Sequence, residues 1–163
     1  MRSLAQQFGR PGDREMQIEI SRLTDVTDAA VEQFNALIPQ LKPAWDRTSV
    51  ADLDRLVSSP TRVYVARRHR AIIGVCLLVP HRHIPGLRYH VEDVVVDTAH
   101  RKKGIARALL SYAMADAPGE ILSFDLRSHE VRRAAHALYV DLGFEPSETT
   151  VFRKLIPRSS PEP

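Results

Sequence analysis

Apolar and polar residues alternate across residues 17–23, the two-residue period of a half-buried strand. Across residues 25–41 the period lengthens, and Val31, Phe34, Leu37 and Ile38 recur at the spacing of a helix. A loop over residues 42–47 leads to a predicted short helix, capped by Thr48 or Ser49 and carrying Val50, Leu53 and Leu56. Residues 61–67 and 71–79 are β-rich runs joined by the short turn Arg68-His69-Arg70, which predicts a hairpin. Residues 88–96, reached through Ile84-Pro85-Gly86, read as the next strand. Residues 104–117 then place Ile105, Leu109, Leu110 and Ala113 on one helical face, and Pro118-Gly119 stops that helix. A strand over residues 121–126 follows. The helix over residues 132–142 has a stripe of Val131, Ala135, Leu138, Tyr139 and Leu142, with Gly143 as its C-terminal cap; residues 149–156 are expected as the last strand.

The predicted order β-α-α-β-β-β-α-β-α-β puts hairpins first and a β-α-β crossover second. The two strands of that crossover should lie parallel, which makes the sheet mixed and the fold class α/β (α+β). Residues 1–15 lack periodicity and read as a flexible leader, residues 16–156 as a single folded domain, and residues 157–163 as a disordered tail. With 163 residues the chain is long enough to bury a core without disulfides or a structural metal. Cys76 is the only cysteine, which excludes a disulfide framework or a Cys-rich metal site and fits a reducing cytosol. No apolar run approaches a membrane span, and the first residues hold no secretory h-region, so a cytoplasmic location is expected.

The formal charge of +3 is mild, and aromatics are 6% of the chain, so no nucleic-acid partner is expected. The distribution of that charge matters more. In residues 90–107 a strand feeds a short loop, and the loop feeds a helix through Gly104 and the small Ala106. Free N–H groups and the positive end of the helix dipole lie at that point, and a residue without a Cβ lets an anion approach. Arg101, Lys102, Lys103 and Arg107 surround it. The arrangement suits a pyrophosphate.

Here the sequence resembles the GNAT superfamily of acetyl-CoA-dependent N-acetyltransferases, whose motif is Arg or Gln, two residues, Gly, one residue, then Gly or Ala. Arg101-Lys102-Lys103-Gly104-Ile105-Ala106 matches each defined position, and residues 135–144 (AHALYVDLGF) are similar to the family's A-x-x-LY-x-x-x-GF helix and turn. The resemblance covers roughly residues 17–156. It implies a splayed sheet of about six to seven strands with about four helices. It further implies that the main chain of Val94, Val95 and Val96 pairs with pantetheine. Arg101, Lys102, Lys103, Gly104, Ile105, Ala106 and Arg107 would then hold the cofactor phosphates.

The resemblance also implies that the Tyr139 phenol stands near the CoA sulfur. A phenol with a pKa near 10 is protonated at neutral pH and can donate to a departing thiolate. The alternative for Tyr139 is an ordinary core position on an apolar stripe. An amine acceptor must lose a proton before it attacks, and Glu92 is the candidate base with Asp93 in reserve. Because neighbouring strand residues face opposite ways, only one of the two should look into the slot. Two positions depart from the family. Arg127 stands where members that acetylate ribosomal protein N-termini carry a carboxylate, and Arg132 stands where many members carry a cofactor-contacting Asn.

Other motifs fail. His129-Glu130 has no second histidine at position 133, and His81-x-His83 lies in an expected Pro/Gly loop without acidic partners, so no metal is expected. Cys76 reads as a buried, inert thiol and Trp45 as either pocket wall or helix packing. The expected activity is transfer of an acetyl group from acetyl-CoA to a primary amine of a small molecule or peptide. It would proceed by direct attack in a ternary complex, in a monomer or homodimer. The rivals are a noncatalytic acyl-CoA-binding module and a transferase acting on aminoacyl-tRNA.

Overall fold

A computed structural model describes residues 6–8, 18–44 and 46–156, so Trp45, most of the expected leader and the expected tail lie outside the described residues. Six strands run in spatial order along one sheet: β1 (Gln6–Phe8), β2 (Ile18–Arg22), β3 (Arg62–Arg68), β4 (Ala71–His83), β5 (Gly86–Val96) and β6 (Ile121–Leu126). Neighbours pair antiparallel except β5 and β6, which are parallel as the crossover requires. The helices are α1 (Asp28–Leu37), α2 (Val50–Val57), α3 (Ile105–Asp116) and α4 (Arg133–Asp141).

The sheet separates two cores. Val31, Phe34 and Leu37 of α1 and Leu53 of α2 pack with Val63, Val65 and Val75 on one face. Ile105, Leu109, Leu110 and Ala113 of α3 pack with Tyr64, Cys76, Leu78 and Val91 on the other, where Leu138, Tyr139 and Leu142 of α4 join them. The expected stripes of α1 and α3 are buried, whereas α2 buries only Leu53 of its stripe and the α4 stripe is half-buried. Val131 is 78% exposed and lies outside the α4 stripe, and Val50 is exposed on α2. Local capping sets the helix starts. Thr27 Oγ1 accepts from Ala30 N ahead of α1, and Ser49 and Asp52 form a reciprocal capping box at α2.

Three expectations need correction. The segment at 149–156 forms no strand. It is irregular and exposed, with Phe152 at 92%, and β6 is the sheet edge among the described residues. A β-compatible run makes a strand only where a neighbour supplies ladder bonds, and this segment docks on none. At the other end Gln6–Phe8, inside the segment expected as a leader, pairs antiparallel with β2. The expected loop at 80–87 is the tip of a long β4–β5 hairpin, so His81 and His83 lie on β4 rather than in a loop. Pro80 is tolerated because β3 pairs with β4 only as far as Leu78, which leaves β4 an edge at that point.

Leu109 is fully buried against the sheet. Leu109→Ala should lower unfolding free energy by about 2–5 kcal/mol, read as a shifted urea midpoint at constant slope.

Candidate active site

Pairing between β5 and β6 runs from Leu87↔Ile121 to Val91↔Leu126 and stops, while β5 continues to Val96. Beyond that point the strands part, and a cleft of about 220 Å³ opens between them, walled by Glu92, Asp93, Val94, Arg127, Arg132 and Tyr139 among others. The stop coincides with a bulge. Val75 pairs with Val95 but Leu77 pairs with Glu92, so β5 carries an extra residue there, and Asp93 adopts φ +48.

The bulge breaks alternation. Val91 and Val94, three positions apart, both pack on the α3 side, whereas Val95 is buried on the α1 side. Glu92 and Asp93, between them, both line the cleft, which corrects the expectation that only one of the two would. Their surroundings differ. Asp93 Oδ1 accepts from Lys42 Nζ at 2.6 Å. Glu92 Oε1 lies 3.4 Å from His90 Nε2 and 3.9 Å from Arg127 Nη2, and neither contact is a hydrogen bond. His90 Nε2 and Ser128 Oγ are buried without partners at this end of the sheet, the sort of orphaned polar atoms that mark a functional cleft.

Tyr139 is held by the way α4 ends. Gly143 takes φ +86, Gly143 N donates to Val140 O, and Phe144 N donates to Tyr139 O, which is a Schellman motif. The apolar contact that accompanies such a motif is here the edge-on packing of the Tyr139 and Phe144 rings, 6.0 Å between centroids. The sequence L-Y-x-x-x-G-F is thus a device that fixes a phenol. Burial raises the Tyr139 pKa above its ordinary value of 10.0, more than the Arg132 charge lowers it, so the hydroxyl keeps its proton. That hydroxyl has no hydrogen-bond partner among the described residues.

At the far end of β5 the chain turns into α3 through Lys102 (φ +61) and Gly104 (φ +74). Gly104 is the N-cap and offers no side-chain acceptor, so the amides of Ile105, Ala106 and Arg107 lack a capping partner. A Cβ built on Gly104 would meet nothing within 4 Å, which leaves the helix start open to a ligand. Asp97 braces the turn: Oδ1 accepts from Ala99 N and Oδ2 from Gln40 Nε2, while Gln40 Oε1 accepts from Thr98 N. The four cations expected to ring this point are not equivalent. Arg101 Nε donates to Val96 O, Lys103 Nζ to Ala99 O, and Arg107 pairs with Asp141 at 2.6 Å. Lys102 is exposed. The side chains of Val95 and Val96 are buried, so only their main chain can serve a ligand. The free amides and open space fit a diphosphate, with Lys102 nearest to an unengaged charge.

Cys76 is buried among apolar neighbours and its thiol pKa is pushed up, the environment of an inert core cysteine. Among the described residues no group of three or more His, Cys, Asp or Glu is placed to hold a metal ion, and no helix is long and apolar enough to cross a membrane. Sequence reasoning missed Lys42 and Ser128 as parts of the cleft. Lys42 reaches it from a loop 51 positions before Asp93, and no local pattern announces such a contact.

The model of the acetyltransferase (GNAT) domain matches residues 59–146. N-alpha-acetyltransferase RimI of Mycobacterium tuberculosis is 30% identical over 121 residues, 74% of this chain and 75% of that protein. An uncharacterized protein of Mycobacterium leprae is 28% identical over 121 residues, and the chain spans only 33% of that relative's length. Among solved structures, an aminoglycoside acetyltransferase from a soil metagenome in complex with sisomicin superimposes with a TM-score of 0.72 at 17% identity, over 86% of this chain and 97% of that one.

Burial holds His90 below the ordinary value of 6.5, against the opposing pull of Glu92. Between the two values the unfolded chain binds a proton that the folded chain does not. Stability is therefore full above pH 6.5 and falls as pH drops through that window. Urea midpoints measured from neutral to mildly acidic pH should show this decline, and His90→Gln should flatten it.

Proposed function

Given that the chain belongs to the GNAT acetyltransferase family, we propose that it transfers an acetyl group from acetyl-CoA to a primary amine within a ternary complex. The observation that carries this reading is the succession of three features: open helix-start amides at Gly104, β5 main chain at 92–96 that β6 leaves unpaired, and the half-buried phenol of Tyr139. A diphosphate at the α3 N-terminus would be met by the amides of Ile105, Ala106 and Arg107 and by Lys102. Pantetheine would follow the free edge of β5, its amides pairing with main chain that β6 has left.

Glu92 lines the cleft with a carboxylate that accepts no hydrogen bond among the described residues, so it can take the proton of an ammonium acceptor directly or through one water. Asp93 is tied to Lys42 and sits at the bulge, beyond which β5 main-chain N–H groups are left by β6 and could meet the oxygen charge that develops on the thioester. The amine nitrogen forms its bond to the acetyl carbon, the carbon–sulfur bond breaks, and the sulfur takes a proton from Tyr139; the second proton that the nitrogen sheds on becoming an amide returns to the Tyr139 phenolate through solvent, and Glu92 gives up the first to solvent. Cys76 is buried on the sheet, so no acyl-enzyme through a cysteine is invoked.

Gly104→Glu should abolish acetyl-CoA binding in isothermal titration while the circular dichroism spectrum is kept, because bulk and negative charge then occupy the anion position. Wild-type affinity in a folded variant would refute the placement. Tyr139→Phe should lower kcat about 10²-fold or more, the scale of a lost general acid, with acetyl-CoA affinity within a few fold. Unchanged thiol release would return Tyr139 to a packing role.

A further inference from the structure

The charges of the cleft narrow the acceptor. Lys42 and Asp93, at 2.6 Å, neutralise each other. Arg132 donates to a main-chain carbonyl, Leu41 O at 3.3 Å, and has no carboxylate partner. Arg127 faces Glu92 across 3.9 Å, its side chain 56% exposed and without a hydrogen bond among the described residues. The carboxylate of Glu92 is also partly exposed and accepts no hydrogen bond. A negative and a positive group therefore stand side by side at the point where β6 leaves β5, each with its hydrogen-bonding capacity unspent.

A pair of this sort is complementary to a zwitterion presented in the opposite sense. Resting on the acetyl-transfer reading above, we propose that the acceptor is a small amino acid whose amine meets Glu92 and whose own carboxylate is held by Arg127. The planar guanidinium takes a carboxylate through two parallel N–H···O bonds. In an α-amino acid the amine nitrogen and carboxylate carbon are about 2.5 Å apart, two bonds along the chain, so both ends reach neighbouring groups at once. The cleft carries three cations against two carboxylates, and the imbalance grows when Glu92 takes the amine proton. An acceptor with its own negative charge offsets that excess, and a diamine or polyamine adds to it. Arg127 is then a residue that selects the acceptor, while the proton and acetyl transfers remain with Glu92 and Tyr139.

The test uses the full chain in a thiol-release assay with acetyl-CoA and matched acceptors: alanine, β-alanine, alaninamide and 1,3-diaminopropane. The best amino acid should exceed alaninamide in kcat/KM by at least tenfold. Arg127→Ala should shrink that ratio at least tenfold, Arg127→Lys should restore part of it, and Arg127→Glu should reverse it in favour of the diamine. Thermal melts and acetyl-CoA titrations of each variant separate a lost acceptor contact from a lost fold or a lost co-substrate. Equal use of the amide or the diamine overturns the proposal. So does a ratio insensitive to Arg127→Ala, or turnover with no member of the panel in protein that binds acetyl-CoA. Failure of the wild-type chain to bind acetyl-CoA at all refutes the acetyl-transfer reading beneath it.

Discussion

Parallel strands cannot part inside a sheet without leaving main-chain donors and acceptors unpaired, and between β5 and β6 that parting begins after Val91 and Leu126. The bulge at Asp93 is what lets it happen. One extra residue on β5, in the left-handed region, keeps the ladder with β4 intact on one side while the other side opens. Burial then falls into place around it: Val94 and Val96 return to the α3 core and Val95 to the α1 core. The two carboxylates that precede them are left facing the gap. The Lys42–Asp93 ion pair stitches the bulge to the loop after α1, so the strained residue is held by a contact from a distant part of the chain.

Two glycines do comparable work at opposite ends of the same cleft. Gly104 starts α3 in the left-handed region and leaves the amide end of the helix uncovered. Gly143 ends α4 in the same region and turns Phe144 back onto Tyr139. One fixes where negative charge can bind and the other where a protonated phenol stands. Neither position is crowded in the folded chain, since a Cβ at either would meet nothing within 4 Å. The requirement is therefore one of backbone conformation, and at Gly104 of ligand space as well.

Much of this was legible in the residues. The stripes Val31-Phe34-Leu37 and Ile105-Leu109-Leu110-Ala113 named the two cores because helical period and burial coincide where a helix lies flat on a sheet. Gly143 as a cap was readable because only a few residue types tolerate its φ. The β3–β4 hairpin and the parallel β5–β6 pair were legible too, but the irregularities and limits of pairing escaped. The segment at 149–156 read as a strand and has no neighbour; the Pro80 segment read as a loop and has one. Strand period also misassigned Glu92 and Asp93, because a bulge is a property of two strands together and leaves no mark on one. The basic cluster at 101–107 was visible as charge, but the lengths of its side chains let Arg101, Lys103 and Arg107 find partners within the protein.

Those engagements alter how the anion site can change over time. A pocket made of side chains is rewritten by single substitutions, whereas a grip made of peptide N–H groups is nearly indifferent to which residues supply them. On the proposed reading positions 103 and 107, whose side chains are spent on partners within the protein, are free to drift in size and even in charge, as long as position 104 stays without a side chain. On the proposed reading the acceptor end can be retuned while the anion end stays fixed, because one would be encoded in side chains and the other in the path of the main chain.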